Sequence, residues 1–153
     1  MNDFDSVIGP SCNLWLRADS KDRLLELKAL LVASGKDRDE PPSWFGRELI
    51  TRVFSSLEGF ILSQKIVRKK FRIEEEYEPT LAHDPDAVRI GISLSVLHDG
   101  DDFDALHDFF YSEGFEAFFQ RELREIVASL LRPKAPWFSA KDCEVEIDGI
   151  GEG

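Results

Sequence analysis

The stretch from Ala87 to Arg132 constrains the fold more than any other part of the chain. It opens with strict alternation: Val88, Ile90, Ile92, Leu94 and Val96 on one side, Arg89, Gly91, Ser93 and Ser95 on the other. An acidic turn, His98-Asp99-Gly100-Asp101-Asp102, follows. A Phe-rich pattern then recurs at helical spacing from Phe103 to Leu131, closed by Arg132-Pro133. The hydrophobic period changes from 2 to 3.6 within a few polar residues, which is how a strand hands over to a helix. Gly114 carries a helix penalty, so the reading places a break there. Phe110, Phe118, Ile92 and Leu94 are the expected core.

The flanking segments read in the same terms. A helix is expected over 20–33, capped by Asp19 or Ser20, with Leu24, Leu27, Leu30 and Leu31 as its stripe. A polar loop, residues 36–42, follows. A second helix begins after Ser43, and beyond Gly59 its continuation as helix or strand is open. A strand is expected over about 66–77, ended by Pro79, with Thr80–Asp86 as a hairpin loop onto the strand at 87–97. A last strand is expected at 142–148. Gly9-Pro10-Ser11 reads as a turn, and Leu14-Trp15-Leu16 as a short apolar run packed on the body. The fold class that follows is α+β: a single domain over residues 1–148, about four helices on a small, mainly antiparallel three-stranded sheet, in the order ααββααβ. Residues 149–153 are expected to form a flexible C-terminal tail.

Composition narrows the class. At 153 residues, 42% hydrophobic and 32% charged, the chain has enough apolar material for one core. Two cysteines, Cys12 and Cys143, stand far apart without a CxxC pair, which fits a reducing compartment and buried thiols. No secretory leader and no membrane-length apolar run is visible, so the expected setting is cytoplasmic, with no membrane partner.

The net charge of -11 is unevenly spread. Residues 44–72 carry seven basic and two acidic side chains; residues 73–120 carry one basic, Arg89, and thirteen acidic. Such a field repels phosphates and attracts basic proteins. The cluster Lys65, Arg68, Lys69, Lys70 and Arg72 precedes Glu74, Glu75, Glu76 and Glu78; if this stretch is one half of a hairpin, the basic end can pair with the acidic strand opposite. Nucleic acid is not expected as a partner, because the overall charge opposes it.

His98, Asp99, Asp101, Asp102, Asp104, His107 and Asp108 form the densest group of possible metal ligands, but their spacing fails the calcium-loop pattern. Asp101 and Asp102 at a helix start read instead as caps that complement the helix dipole. No nucleophile elbow, P-loop, GxGxxG or HExxH occurs. No cofactor, metal or catalytic residue is assigned. The leading expectation is a non-enzymatic acidic domain that binds a basic protein, of inhibitor or immunity type against a toxin or nuclease. The partner-binding residues assigned on that expectation are Glu74, Glu76, Glu78, Tyr77, Asp99, Asp102, Phe103, Tyr111 and Glu113. An assembly subunit of a homo-oligomer or virus-like particle, and a metal-dependent enzyme using the 98–108 cluster, are the alternatives.

Overall fold

The computed structural model describes residues 4–32 and 39–152. Among the described residues, four strands, β1 (Ser6–Leu16), β2 (Phe71–Asp84), β3 (Ala87–His98) and β4 (Cys143–Glu152), and four helices follow one another as βααββααβ, and the strands form one antiparallel sheet in the order β2-β3-β1-β4. The class is α+β, but the sheet has four strands where three were expected. The unforeseen strand is β1, Ser6–Leu16. It lies in the middle of the sheet, paired with β3 (Ala87–His98) from Ser6↔His98 to Leu16↔Val88, and with β4 (Cys143–Glu152) on its other side. Gly9 and Pro10, which read locally as a turn, sit inside it. Gly9 is there because the backbones approach too closely for a side chain: a Cβ would stand 2.0 Å from the Leu94 carbonyl oxygen.

Residues 149–152 of the expected flexible tail also belong to a strand, and Gly153 lies outside the described residues. Residues 149–152 pair with Ile8–Ser11, and a one-residue register shift beyond Ser11 leaves Asp148 as a bulge. At the opposite edge, β2 runs from Phe71 to Asp84, later and longer than expected. It passes through Pro79, which an edge strand tolerates because the outward side needs no donor. The pairing with β3 is regular from Phe71 to Glu75, slips on either side of Tyr77, and resumes at Thr80. Thr80–Asp84 is therefore strand rather than loop, and only Pro85 and Asp86 turn the hairpin.

The helices are close to expectation. In α1, Lys21–Leu30, the Ser20 hydroxyl accepts the Arg23 N–H at 3.2 Å, and Leu27 is buried. The helix α2, Ser43–Ser63, continues past Gly59. The break between α3, Phe103–Phe110, and α4, Glu113–Leu131, falls before Gly114. Ser112 makes it: its hydroxyl accepts the Phe115 N–H at 3.1 Å and donates to the Phe109 carbonyl at 2.6 Å. The polar loop at 36–42 lies partly outside the described residues.

One sheet face, with Ile8, Leu14, Leu16, Val88, Ile90, Ile92, Leu94 and Val96, is buried in the core. Phe110, Ile92 and Leu94 are buried as expected, whereas Phe118 is only half-buried, its ring stacked on Phe60 at 3.7 Å between centroids. The deep aromatic positions of α4 are Phe115 and Phe119. On the other sheet face Ser11, Asn13, Trp15, Arg89, Gly91, Ser93 and Ser95 stay half-exposed.

Candidate functional site

The nine partner-binding candidates fall into two groups on different elements. Glu74, Glu76, Tyr77 and Glu78 belong to the β2 edge; Asp99, Asp102, Phe103, Tyr111 and Glu113 lie on the segment that leads through α3 into α4. The β2 slips scatter the first group. Glu74 opposes Ser95 on the half-exposed sheet face and pairs with Arg72 at 2.8 Å. Glu75 opposes Leu94 on the core side; partial burial, and then Glu78, push its carboxyl up. Glu76 accepts the Ser93 hydroxyl at 2.8 Å, and Ser93 and Ser11 share a further bond at 2.7 Å. Tyr77 stands exposed beside a shallow depression of about 260 Å³ lined by Ser11, Asn13, Gly91 and Ser93.

The acidic turn bonds its own backbone and the loop before β2. Asp99 accepts the Asp101 N–H at 2.9 Å and starts a 3-10 turn, Gly100–Asp102. That backbone bond, aided by Lys69, holds the Asp99 carboxyl below the usual carboxylate range. Lys69 reaches Asp101 at 2.8 Å and Asp99 at 3.4 Å, so it pairs with the acidic turn after β3 and not with a strand opposite. Asp102 corrects two expectations. It is buried, so it offers no surface, and it makes no capping bond into α3. Its two oxygens accept the backbone N–H groups of Arg68 and Lys69, at 3.0 and 3.2 Å, fastening the loop before β2. A carboxylate is a suitable partner for two part-buried donors.

Beyond this turn, α3 carries a surface that the sequence reading had only in pieces. Phe103, His107 and Tyr111 recur every fourth residue and so share one helix face. Their rings follow one another at 5.7 and 4.6 Å, and His98 lies at 6.2 Å from Phe103. Phe103 and His107 are half-buried, while Tyr111 is 58% exposed. Asp104, Asp108, Glu113 and Glu116 stand exposed on the same elements. Among the described residues no Lys or Arg forms an ion pair with any of these four. His107 also places Nε2 3.3 Å from Glu152 at the end of β4, tying the stripe to the sheet. From sequence His107 reads only as a possible metal ligand and Glu152 as part of a tail; the four-residue spacing is the signal for the stripe.

Among the described residues, no group of three or more His, Cys, Asp or Glu side chains is gathered to hold a metal ion. No helix among them is long and apolar enough to cross a membrane. The chain matches no family model, no curated protein and no solved structure.

Cys12 and Cys143 are unbridged and buried. Burial pushes both thiols up to about 12; for Cys12 the neighbouring Cys143 adds to the effect, and for Cys143 burial outweighs the opposing charges of Arg124 and Arg17. Only a thiolate reacts quickly with disulfide reagents. At pH 8 the native protein should therefore release no colour with a thiol reagent, and two equivalents once denatured. The folded state holds these protons more tightly than the unfolded chain. Their contribution to stability is complete below the ordinary thiol value of 9.0 and is lost as pH rises through about 12.

Proposed function

We propose that this chain is a non-enzymatic acidic binding domain that docks on a basic protein, in the manner of an inhibitor or immunity protein, through the corner formed by α3 and the start of α4. The observation that carries the reading is the exposed Tyr111, at the end of an aromatic stripe, among carboxylates that the described part of the chain leaves without a Lys or Arg partner. Uncompensated charge of one sign steers a partner of the opposite sign, and an amphipathic aromatic provides contact area at low entropic cost. Arginine suits such a surface, because its guanidinium stacks on an aromatic face and bonds a carboxylate with two donors. The charge opposes nucleic acid and anionic lipid. Two buried, unbridged thiols suit a reducing, cytoplasmic setting.

The test is capture from native extract on the immobilised protein, run beside Tyr111→Ala and the double variant Asp104→Lys/Asp108→Lys. A basic protein should be retained by the unmodified chain. Its affinity should fall by about 30-fold with Tyr111→Ala, the equivalent of about 2 kcal/mol for a central aromatic anchor. Retention that is equal on all three surfaces would sink the assignment of this corner.

A further inference from the structure

The sheet has two edges, and their charge patterns differ. The β4 edge carries Glu144, Glu146, Asp148 and Glu152 and no Lys or Arg, so pairing with a copy of itself sets like against like. The β2 edge runs from basic to acidic: Arg68, Lys69, Lys70 and Arg72, then Glu74, Glu75, Glu76 and Glu78. Laid antiparallel against itself about Ile73, this segment matches. In the regular stretch Arg72 meets Glu74 of a second copy, Phe71 meets Glu75 and Ile73 meets Ile73, while Arg68 and Lys70 lie beyond it at the basic end and Glu76 and Glu78 at the acidic end.

The backbone agrees with that centre. Phe71–Glu75, the part of β2 in regular register with β3 before the first slip, is symmetric about Ile73. Beyond it the slips around Tyr77, and then Pro79, limit how far a new strand could pair. At the other end the Asp102 carboxylate fixes the Arg68–Lys69 backbone, and so the course of the chain into β2. Among the described residues, the backbone hydrogen bond reaching β2 from outside the sheet is Leu81 N–H to the Asp39 carbonyl, well past this stretch.

We propose that β2 pairs with β2 of a second copy of this chain, antiparallel about a two-fold axis at Ile73, extending the four-stranded sheet into an eight-stranded one. A two-fold contact must be self-complementary, and a strand whose halves carry opposite charge meets that condition. The neighbouring registers are disfavoured, because they set Glu74 on Glu74 or Arg72 on Arg72 at the axis. The existing Arg72–Glu74 ion pair is exposed and contributes little, so exchanging it for the same pair across the axis costs little. The contact does not involve the α3 corner and needs no basic partner.

Light scattering over a concentration series tests it. The mass should rise from 17.5 kDa toward twice that value, and less so at high salt. Lys70→Glu/Arg72→Glu sets acid on acid at the 72–74 contact, and Glu74→Lys/Glu76→Lys sets base on base there. Each variant alone should dimerise at least about 10-fold more weakly, and an equimolar mixture should recover the dimer. In the unmodified protein, amide exchange at residues 71–75 should slow with rising concentration while β4 is unaffected, a readout independent of how the variants fold. A single-chain mass up to about 1 mM, a dimer that survives both substitutions, or exchange at 71–75 indifferent to concentration would overturn the proposal.

Discussion

Gly9→Ala should cost at least about 4 kcal/mol, at the far end of what single substitutions do. The added Cβ would lie 2.0 Å from the Leu94 carbonyl oxygen, 2.7 Å from its carbon and 3.0 Å from the Ser95 Cα. All three are backbone atoms of β3, so no side-chain rotation relieves the overlap. Strands β1 and β3 would have to part at the centre of the sheet. A domain of this size has about 5–15 kcal/mol in total, so one methyl group would remove a large part of it. Gly59→Ala is the internal control. That glycine is exposed within α2 and a Cβ there meets nothing within 4 Å, so alanine should stabilise by about 0.5–1 kcal/mol through helix propensity. Urea midpoints should move in opposite directions for the two variants. A Gly9→Ala protein as stable as the parent would mean that β1 is not held between β3 and β4 in this register.

The second large effect is expected in α4. Phe115 is 1% exposed and packs against Phe109, Phe110 and Phe119 at 5.2, 4.9 and 5.0 Å between centroids. Removing it loses both the transfer energy of the ring and the contacts around the cavity, so Phe115→Ala should cost about 3–5 kcal/mol. Phe118 is three residues on and differs. It is half-buried and stacked on the half-buried Phe60, with Arg121 over its ring at 5.8 Å. Phe118→Ala should cost only about 1–2 kcal/mol, because water already reaches part of the ring. Chemical unfolding of both variants decides the order. Equal losses would mean that α4 is rotated relative to the face described.

What was legible in the sequence was whatever depends on local pattern. The alternation of β3, the cap at Ser20, the stripe of α1 and the helical Phe spacing each have a near-neighbour cause. Element β1 had the pattern too: Cys12, Leu14 and Leu16 alternate with Ser11, Asn13 and Trp15. Gly9-Pro10 masked it, because a glycine demanded by Leu94, 85 positions away, looks locally like a turn. The role of Asp102 is hidden for the same reason. Three residues into an acidic turn, it looks like a cap, and only the approach of the 68–69 loop gives its carboxylate other work. On the α3 surface the carboxylates and Tyr111 were visible in the charge map, but the register slips of β2 were not. They detach Glu74, Glu76 and Glu78 from the single acidic face that plain alternation implies.

Uncompensated carboxylates on the α3 corner should steer a basic partner, and the direct measurement is the association rate of the captured protein across a salt series. Diffusional steering acts over a Debye length that shrinks to about 8 Å at physiological ionic strength. The on-rate should fall by about 10-fold or more between low and high salt, and Asp104→Lys/Asp108→Lys should abolish most of that dependence while changing the off-rate far less. An on-rate indifferent to salt, or one with the same salt dependence after the charge reversal, would contradict the account.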